Sequence, residues 1–313
     1  MLKSRLQMSF LSSGHTTAAL RALSYSSPLS KFKDDTDGIG YYEAVKEIEE
    51  HFEEKKEELI ANLKELAARI FRADNLMISY TAAPEGLDAV EKEMETFKNG
   101  LFERTDGDEQ ENRCILHCVK RNEGFKTSSK VQYVARTGNF IDGGAAYSGA
   151  LHILKVILSY DYLWQNIRVK GGAYGCMCNF NRIGEGYLIS YRDPNLEKTI
   201  DVYEKVTEYL RNFEADDRDM NKYIIGTISN IDRPMNPLAK GTRSMNLYMN
   251  HVTEEMIRKE REEILNAGQE EIRALADVVA AMLAADQLCS RQHIAPLVVS
   301  SKLKVTAVFL EQC

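Results

Sequence analysis

Residues Tyr160 to Gly175 read YDYLWQNIRVKGGAYG, and the fold turns on this stretch. It holds the only tryptophan of the chain, Trp164. Upstream, Gly143-Gly144 break the chain, and a helix is predicted over Ala145–Ile167. Its apolar positions Tyr147, Leu151, Leu154, Leu158, Leu163 and Ile167 give it a face fit for burial. Downstream, Ala173–Asn181 and Gly186–Tyr191 read as a hairpin joined through Arg182-Ile183-Gly184-Glu185. Between helix and hairpin stand Arg168 and the pair Gly171-Gly172, with Tyr174 entering the strand. Glycine accepts a positive φ and lets another backbone approach closely. The arrangement therefore brings backbone and two polar side chains to one surface. Two readings stand open on these residues alone. Arg168 suits the negative end of a helix and Tyr174 suits cross-strand packing. Equally, guanidinium and phenol are both hydrogen-bond donors, and donors aimed at a carbonyl stabilise the charge that develops on it in acyl transfer.

Working outward, Asp193-Pro194 reads as an N-cap with proline in the first turn, followed by a helix from Leu196 to Phe213. Asp216-Asp217 opens another helix to Ile231, which Pro234 and Pro237 end, and Ser244–Met249 is helical again. Thr253 caps a charged helix to Leu265, Ile272–Leu283 continues as helix, and Val298–Leu310 is strand-like. On the other side, Cys114–Val119 and Lys130–Ala135 are predicted strands. The acidic ERTDGDEQEN at 103–112 has no apolar pattern and makes the best linker. The expected division is one domain over 1–105, a linker at 106–112 and a second domain over 113–313. Within the first, Tyr42–Phe71 carries a long helical stripe, Leu76–Ala82 reads as a strand, and a helix follows Pro84 through Leu101.

Composition narrows the function classes. A chain of 313 residues is long enough for two domains, and 44% hydrophobic with 28% charged residues is ordinary for a globular protein. A net charge of −7 and a pI near 5.6 argue against nucleic acid as a partner. No apolar run approaches the roughly 18–20 residues of a membrane span, so no membrane partner is expected. Six cysteines in this length form no disulfide framework and point to a reducing compartment, the cytoplasm first. The first 33 residues lack Asp and Glu but carry Lys3, Arg5, Arg21, Lys31 and Lys33. That composition fits either a mitochondrial transit segment or a folded run of helices.

The histidine and cysteine spacings speak against a metal site. The six histidines, His15, His51, His117, His152, His251 and His293, never lie within a helical turn or two of one another. The nearest approach to an inverted zinc-peptidase signature is His51-Phe52-Glu53-Glu54-Lys55, where lysine stands in place of the second imidazole. Cys176 and Cys178 share one face of a strand, but two thiols alone make no metal site, and a pair of small buried hydrophobes is the better reading. No metal ligands are therefore assigned to this chain.

IRVKGGAYG, with LKVILSYDYLWQN before it and GYLISYRDPNLEKTIDVYE after it, resembles the C-terminal half of presequence proteases, inverzincin metallopeptidases of the pitrilysin/insulinase group. KYIIGTIS and KGTRSM extend the resemblance, which runs from about Ser4 to Leu288. It implies an α+β fold of two homologous domains, each a mainly antiparallel sheet packed with helices. It implies that Arg168 and Tyr174 contact the substrate carbonyl and its oxyanion, with Gly171, Gly172 and Ala173 lining the substrate. Zinc, its H-x-x-E-H ligands and the glutamate base belong to an N-terminal catalytic half that this sequence does not contain. The implied activity is degradation of unstructured peptides by the complete enzyme, with this chain inactive on its own. The alternatives are a non-catalytic peptide-binding or structural subunit, or a truncated inactive fragment. The resemblance turns the acid-poor start into interior helix. It leaves SRQHIAPLVVSSKLKVTAVFLEQC after Leu288 as an atypical tail. The mitochondrial matrix is the alternative location.

Overall fold

A computed structural model describes residues 1–103, 116–119, 123–125, 131–284 and 297–299 of the chain. It opens with three helices, α1 (Leu2–Ser12), α2 (Gly14–Leu23) and α3 (Pro28–Asp37), so the acid-poor start is folded helix. Ser27 caps α3 by accepting from Ser30 N–H, with Pro28 in the first turn. Next come α4 (Ile39–Glu50), α5 (Phe52–Ile70) and α6 (Leu87–Lys98), then strands β1 (Gly124–Phe125) and β2 (Tyr133–Asn139). Helix α7 (Ala150–Ile157) leads into the glycine-broken turn, and the hairpin is β3 (Gly175–Phe180) and β4 (Glu185–Tyr191). Six helices follow: α8 (Glu197–Glu204), α9 (Val206–Arg211), α10 (Asp217–Ile231), α11 (Pro237–Met249), α12 (Glu254–Leu265) and α13 (Gln269–Ala284). A short strand, β5 (Leu297–Val299), completes the described chain.

The strands form one sheet in the order β1-β5-β2-β4-β3, antiparallel at every junction except β1 with β5. Ala135 faces Ile189 across β2 and β4, and Cys176 faces Ser190 across β3 and β4. All seven residues of β2 are buried, because both faces of the sheet are covered. On one face Val134, Leu188, Cys178 and Phe180 join α7, α9 and α13 through Leu154, Ile157, Leu210, Val279 and Met282. On the other, Tyr133, Ala135 and Ile189 meet Ala18, Ala19 and Ala22 of α2. Each large aliphatic side chain buried this way contributes about 1.5–3 kcal/mol. The fold is α+β.

Two compact units result, and they are discontinuous in sequence. One comprises 1–46, 115–232 and 258–313; the other comprises 47–114 and 233–257. The first 46 residues thus group with the sheet and not with the helix that follows them, a difference from the expected 1–105 division. The physical reason is α2, whose alanine face closes the second side of the sheet. The linker at 106–112 lies outside the described residues. In the second unit α5, α6 and α11 have no buried residue, and Leu63, Leu66 and Ile70 of α5 are about half exposed.

Several local expectations need correction. The Tyr42–Phe71 helix is two, broken at His51, whose φ of −119° and ψ of 31° leave the helical region. Leu76–Ala82 is not a strand of any ladder among the described residues; the nearest pairing is an isolated bridge between Arg72 and Phe102. Residues 116–119 likewise carry no ladder. The helix expected from Ala145 begins at Ala150, and Leu196–Phe213 divides at Lys205 into α8 and α9. Asp193 caps no helix: it is fully buried, accepting from Asn195 N–H at 2.8 Å and from the Thr199 hydroxyl at 2.7 Å. Of the strand expected at Val298–Leu310, the described part is β5 and the remainder lies outside the described residues.

Candidate functional site

The helix that delivers Arg168 does not end as an α-helix. After α7 the turns widen, and Leu158–Tyr162 and Trp164–Val169 are π-helical. Leu163 N–H bonds Leu158 O, and Lys170 N–H bonds Gln165 O at 3.0 Å, five residues back in each case. Such segments are rare and concentrate at functional positions. Here the result is that Leu163 and Ile167 enter the core while Trp164 and Arg168 share the outer side. The Arg168 guanidinium carbon lies 4.1 Å from the Trp164 ring centroid, a cation–π contact that holds the side chain in place.

The turn closes as a helix stop. Ala173 N–H bonds Ile167 O at 3.1 Å and Gly172 N–H bonds Arg168 O at 2.9 Å, with Gly172 at φ +78°. A Cβ on Gly171 would stand 2.5 Å from Ile167 O, so only glycine fits there. The Gly171 carbonyl accepts from the Asn195 amide at 2.5 Å. The N–H groups of Gly172 and Ala173 are thus taken up within the turn, and Ala173 is buried. Gly171, Gly172 and Ala173 shape the turn.

Tyr174 is 63% exposed. Its ring packs edge-on to Tyr191 at 5.6 Å between centroids, and the Arg168 guanidinium lies 5.7 Å from it. The structure therefore brings Arg168 and Tyr174 together beside Trp164. Arg192, which sequence reasoning passed over, stands 5.9 Å from the same ring. No local pattern announces Arg192, because it reaches Tyr174 through strand register.

Cys176 and Cys178 lie just beyond, both buried and free. Burial pushes their thiols up to about 11 and about 12, so at neutral pH they stay protonated, unfit as nucleophile or metal ligand. A zinc ion needs three or four deprotonated N, O or S ligands. Among the described residues no group of three His, Cys, Asp or Glu side chains converges to supply them. An always-charged guanidinium cannot ligate, so the site as built does not fit zinc.

A second polar cluster lies at the other end of the helix. Glu260 accepts from the Tyr147 hydroxyl and the Arg182 guanidinium and pairs with His152 Nε2 at 2.5 Å. Burial raises its pKa, but the bonds from His152 and Tyr147 and the charge of Arg182 outweigh that and hold it down to about 2. Burial and the same carboxylate push the Tyr147 hydroxyl well above its ordinary range. Glu263 adds a bond from Gly149 N–H at 2.6 Å. Glu260 lies more than 70 positions in sequence from each of these three partners, and no motif reveals the cluster.

A two-faced, helix-covered α+β sheet presenting an arginine and a tyrosine beside a glycine turn defines the class. The PreP C-terminal domain family matches residues 122–288, more than half of the 313, and the chain belongs to that family. Protein HypA of Clostridium perfringens is 39% identical over 291 residues, covering 92% of this chain and 29% of the relative. Presequence protease 1, chloroplastic/mitochondrial, of Arabidopsis thaliana is 30% identical over 280 residues, covering 88% of this chain and 26% of its own length. Mitochondrial presequence protease of Xenopus laevis is 24% identical over 283 residues, 80% of this chain and 27% of the relative. The chain thus spans less than a third of these relatives. A solved peptidase M16 inactive domain from Pseudomonas fluorescens aligns at a TM-score of 0.46 and 11% identity, over 71% of this chain and 52% of that one. The resemblance to the C-terminal half of presequence protease-like peptidases is borne out.

Proposed function

We propose that this chain is the substrate-binding C-terminal half of a zinc metalloendopeptidase that degrades unstructured peptides. The observation that carries the reading is the pair Arg168 and Tyr174 on either side of a glycine turn, the half-buried guanidinium 5.7 Å from the centre of the exposed phenol ring. Arg168 and Tyr174 orient the scissile carbonyl and donate to its oxygen as negative charge grows on it. Trp164 holds the guanidinium against its ring, so little conformational freedom is lost on binding. Zinc and its general base belong to an N-terminal catalytic half, a partner encoded with this chain or separately, and no step of this proposal runs through them here. Relatives named for mitochondria and chloroplasts support the mitochondrial alternative for location.

The test is complementation. The purified 313-residue chain alone leaves a fluorogenic unstructured peptide uncut. Mixed with the portion of the Clostridium perfringens relative that this chain does not match, it cleaves the peptide in a chelator-sensitive way. Cleavage by the chain alone, or none in the mixture despite association, overturns the reading and favours a structural subunit or an inactive fragment.

A further inference from the structure

The end of β4 carries one residue more than β2 can pair. The register that sets Ala135 opposite Ile189 brings Ser190 beside Val134. The next pair is Gln132 with Asp193, which exchange N–H···O bonds at 2.8 and 2.9 Å. Tyr133 alone therefore faces both Tyr191 and Arg192. The β3 side shows the same mismatch, because Tyr174 N–H is shared between Tyr191 O at 3.0 Å and Arg192 O at 3.4 Å. Two residues against one is a β-bulge, a device that re-aims a side chain next to active sites.

The residue in the bulge is strained. Arg192 sits at φ +49°, in the left-handed region that a non-glycine side chain enters only at a cost. The conformation swings its guanidinium over two rings, 5.9 Å from Tyr174 and 5.3 Å from Tyr191. Arg168 approaches the same Tyr174 ring at 5.7 Å. Neither guanidinium has an ion-pair partner among the described residues, in a chain whose net charge is −7. Two planar cations lie around one exposed phenol, and guanidinium grips a carboxylate through parallel hydrogen bonds.

We propose that Arg192 is a specificity-determining residue of this site, receiving a carboxylate of the bound peptide while Arg168 and Tyr174 hold its carbonyl. The carboxylate is an acidic side chain or a free C-terminus. This rests on the peptide-contact reading above and can fail separately from it.

Trp164, the only tryptophan, lies against Arg168 and reports binding by its fluorescence. The full 313-residue chain is titrated with one unstructured peptide in three forms: uncharged with an amidated C-terminus, the same with one aspartate added, and the same with a free C-terminal carboxylate. One carboxylated form binds about tenfold tighter than the uncharged form, as a charged hydrogen bond allows, and which form gains identifies the carboxylate. Arg192→Gly cancels that gain, bringing the carboxylated form down to the affinity of the uncharged one. Glycine is chosen because it accepts φ +49° without strain, so the bulge survives. Arg192→Lys keeps part of the gain. Equal binding of all three forms overturns the proposal, as does an Arg192→Gly variant that weakens all three alike. If Arg168→Ala weakens the uncharged form and no carboxylate preference exists, the carbonyl contact stands and Arg192 has no such role. If Arg192→Gly removes a preference while Arg168→Ala changes nothing, the carboxylate contact stands and the carbonyl contact falls.

Discussion

One helical stretch, from Ala150 to Val169, has an arginine–tyrosine cluster at each end, and the two clusters have opposite fates. At its start Tyr147 and Arg182 lie 5.9 Å apart and both close on Glu260, whose side chain is only 12% exposed. At its end Arg168 and Arg192 flank Tyr174, and no carboxylate among the described residues closes on either. The residue types are nearly the same. What differs is the anion. Supplied by α12, it turns the first cluster into a structural tie; the second has no such anion among the described residues, and the proposed peptide contact rests on that difference.

The comparison can be broken or sharpened by substitution and by pH. The largest effect on folding comes at the open end's turn. Gly171→Ala places a Cβ 2.5 Å from a backbone carbonyl, and overpacking of that kind costs about 2–3 kcal/mol, read by urea denaturation. Next is the closed end. Glu260→Gln leaves Arg182 and His152 without their acceptor charge and destabilises by about 2 kcal/mol, while peptide binding at the open end is unchanged. Gly172→Ala puts an L-residue at φ +78° and costs about 1 kcal/mol. The same tie is also read by pH. Glu260 is held down to about 2 in the fold against an ordinary 4.5, so its contribution is present above pH 4.5 and is lost as pH falls toward 2. Melting temperature therefore drops across that window in the wild type, and less steeply in Glu260→Gln. Equal slopes would show that the Glu260 tie carries no such linkage.

Much of the open end was legible in sequence. Gly171-Gly172 marked the turn, two strand-like runs joined through Arg182-Ile183-Gly184-Glu185 marked the hairpin, and Arg168 and Tyr174 stood out as donors on either side of the break. What could not be read were effects of the third dimension. The π-helical widening over Leu158–Tyr162 and Trp164–Val169 carries no residue pattern of its own. Asp193-Pro194 has the form of a helix start, yet burial turned Asp193 into a hydrogen-bond acceptor for Thr199. Leu76–Ala82 has strand composition, but a strand needs a neighbour to pair with. Arg192 depends on a register slip of one residue between β2 and β4, and Glu260 on contacts more than 100 residues away to Tyr147 and His152. Periodicity records neither.

That the open end contacts substrate while the closed end holds the fold is tested most directly by turnover. In the complemented enzyme, kcat/KM is measured for Arg168→Ala, Tyr174→Phe and Glu260→Gln at a temperature where all three are folded. The expected result is a loss of about 100-fold for Arg168→Ala, as for removal of an oxyanion donor, a change in the same direction for Tyr174→Phe, and little change for Glu260→Gln. Unchanged turnover in both open-end variants, or a loss confined to Glu260→Gln, would contradict it.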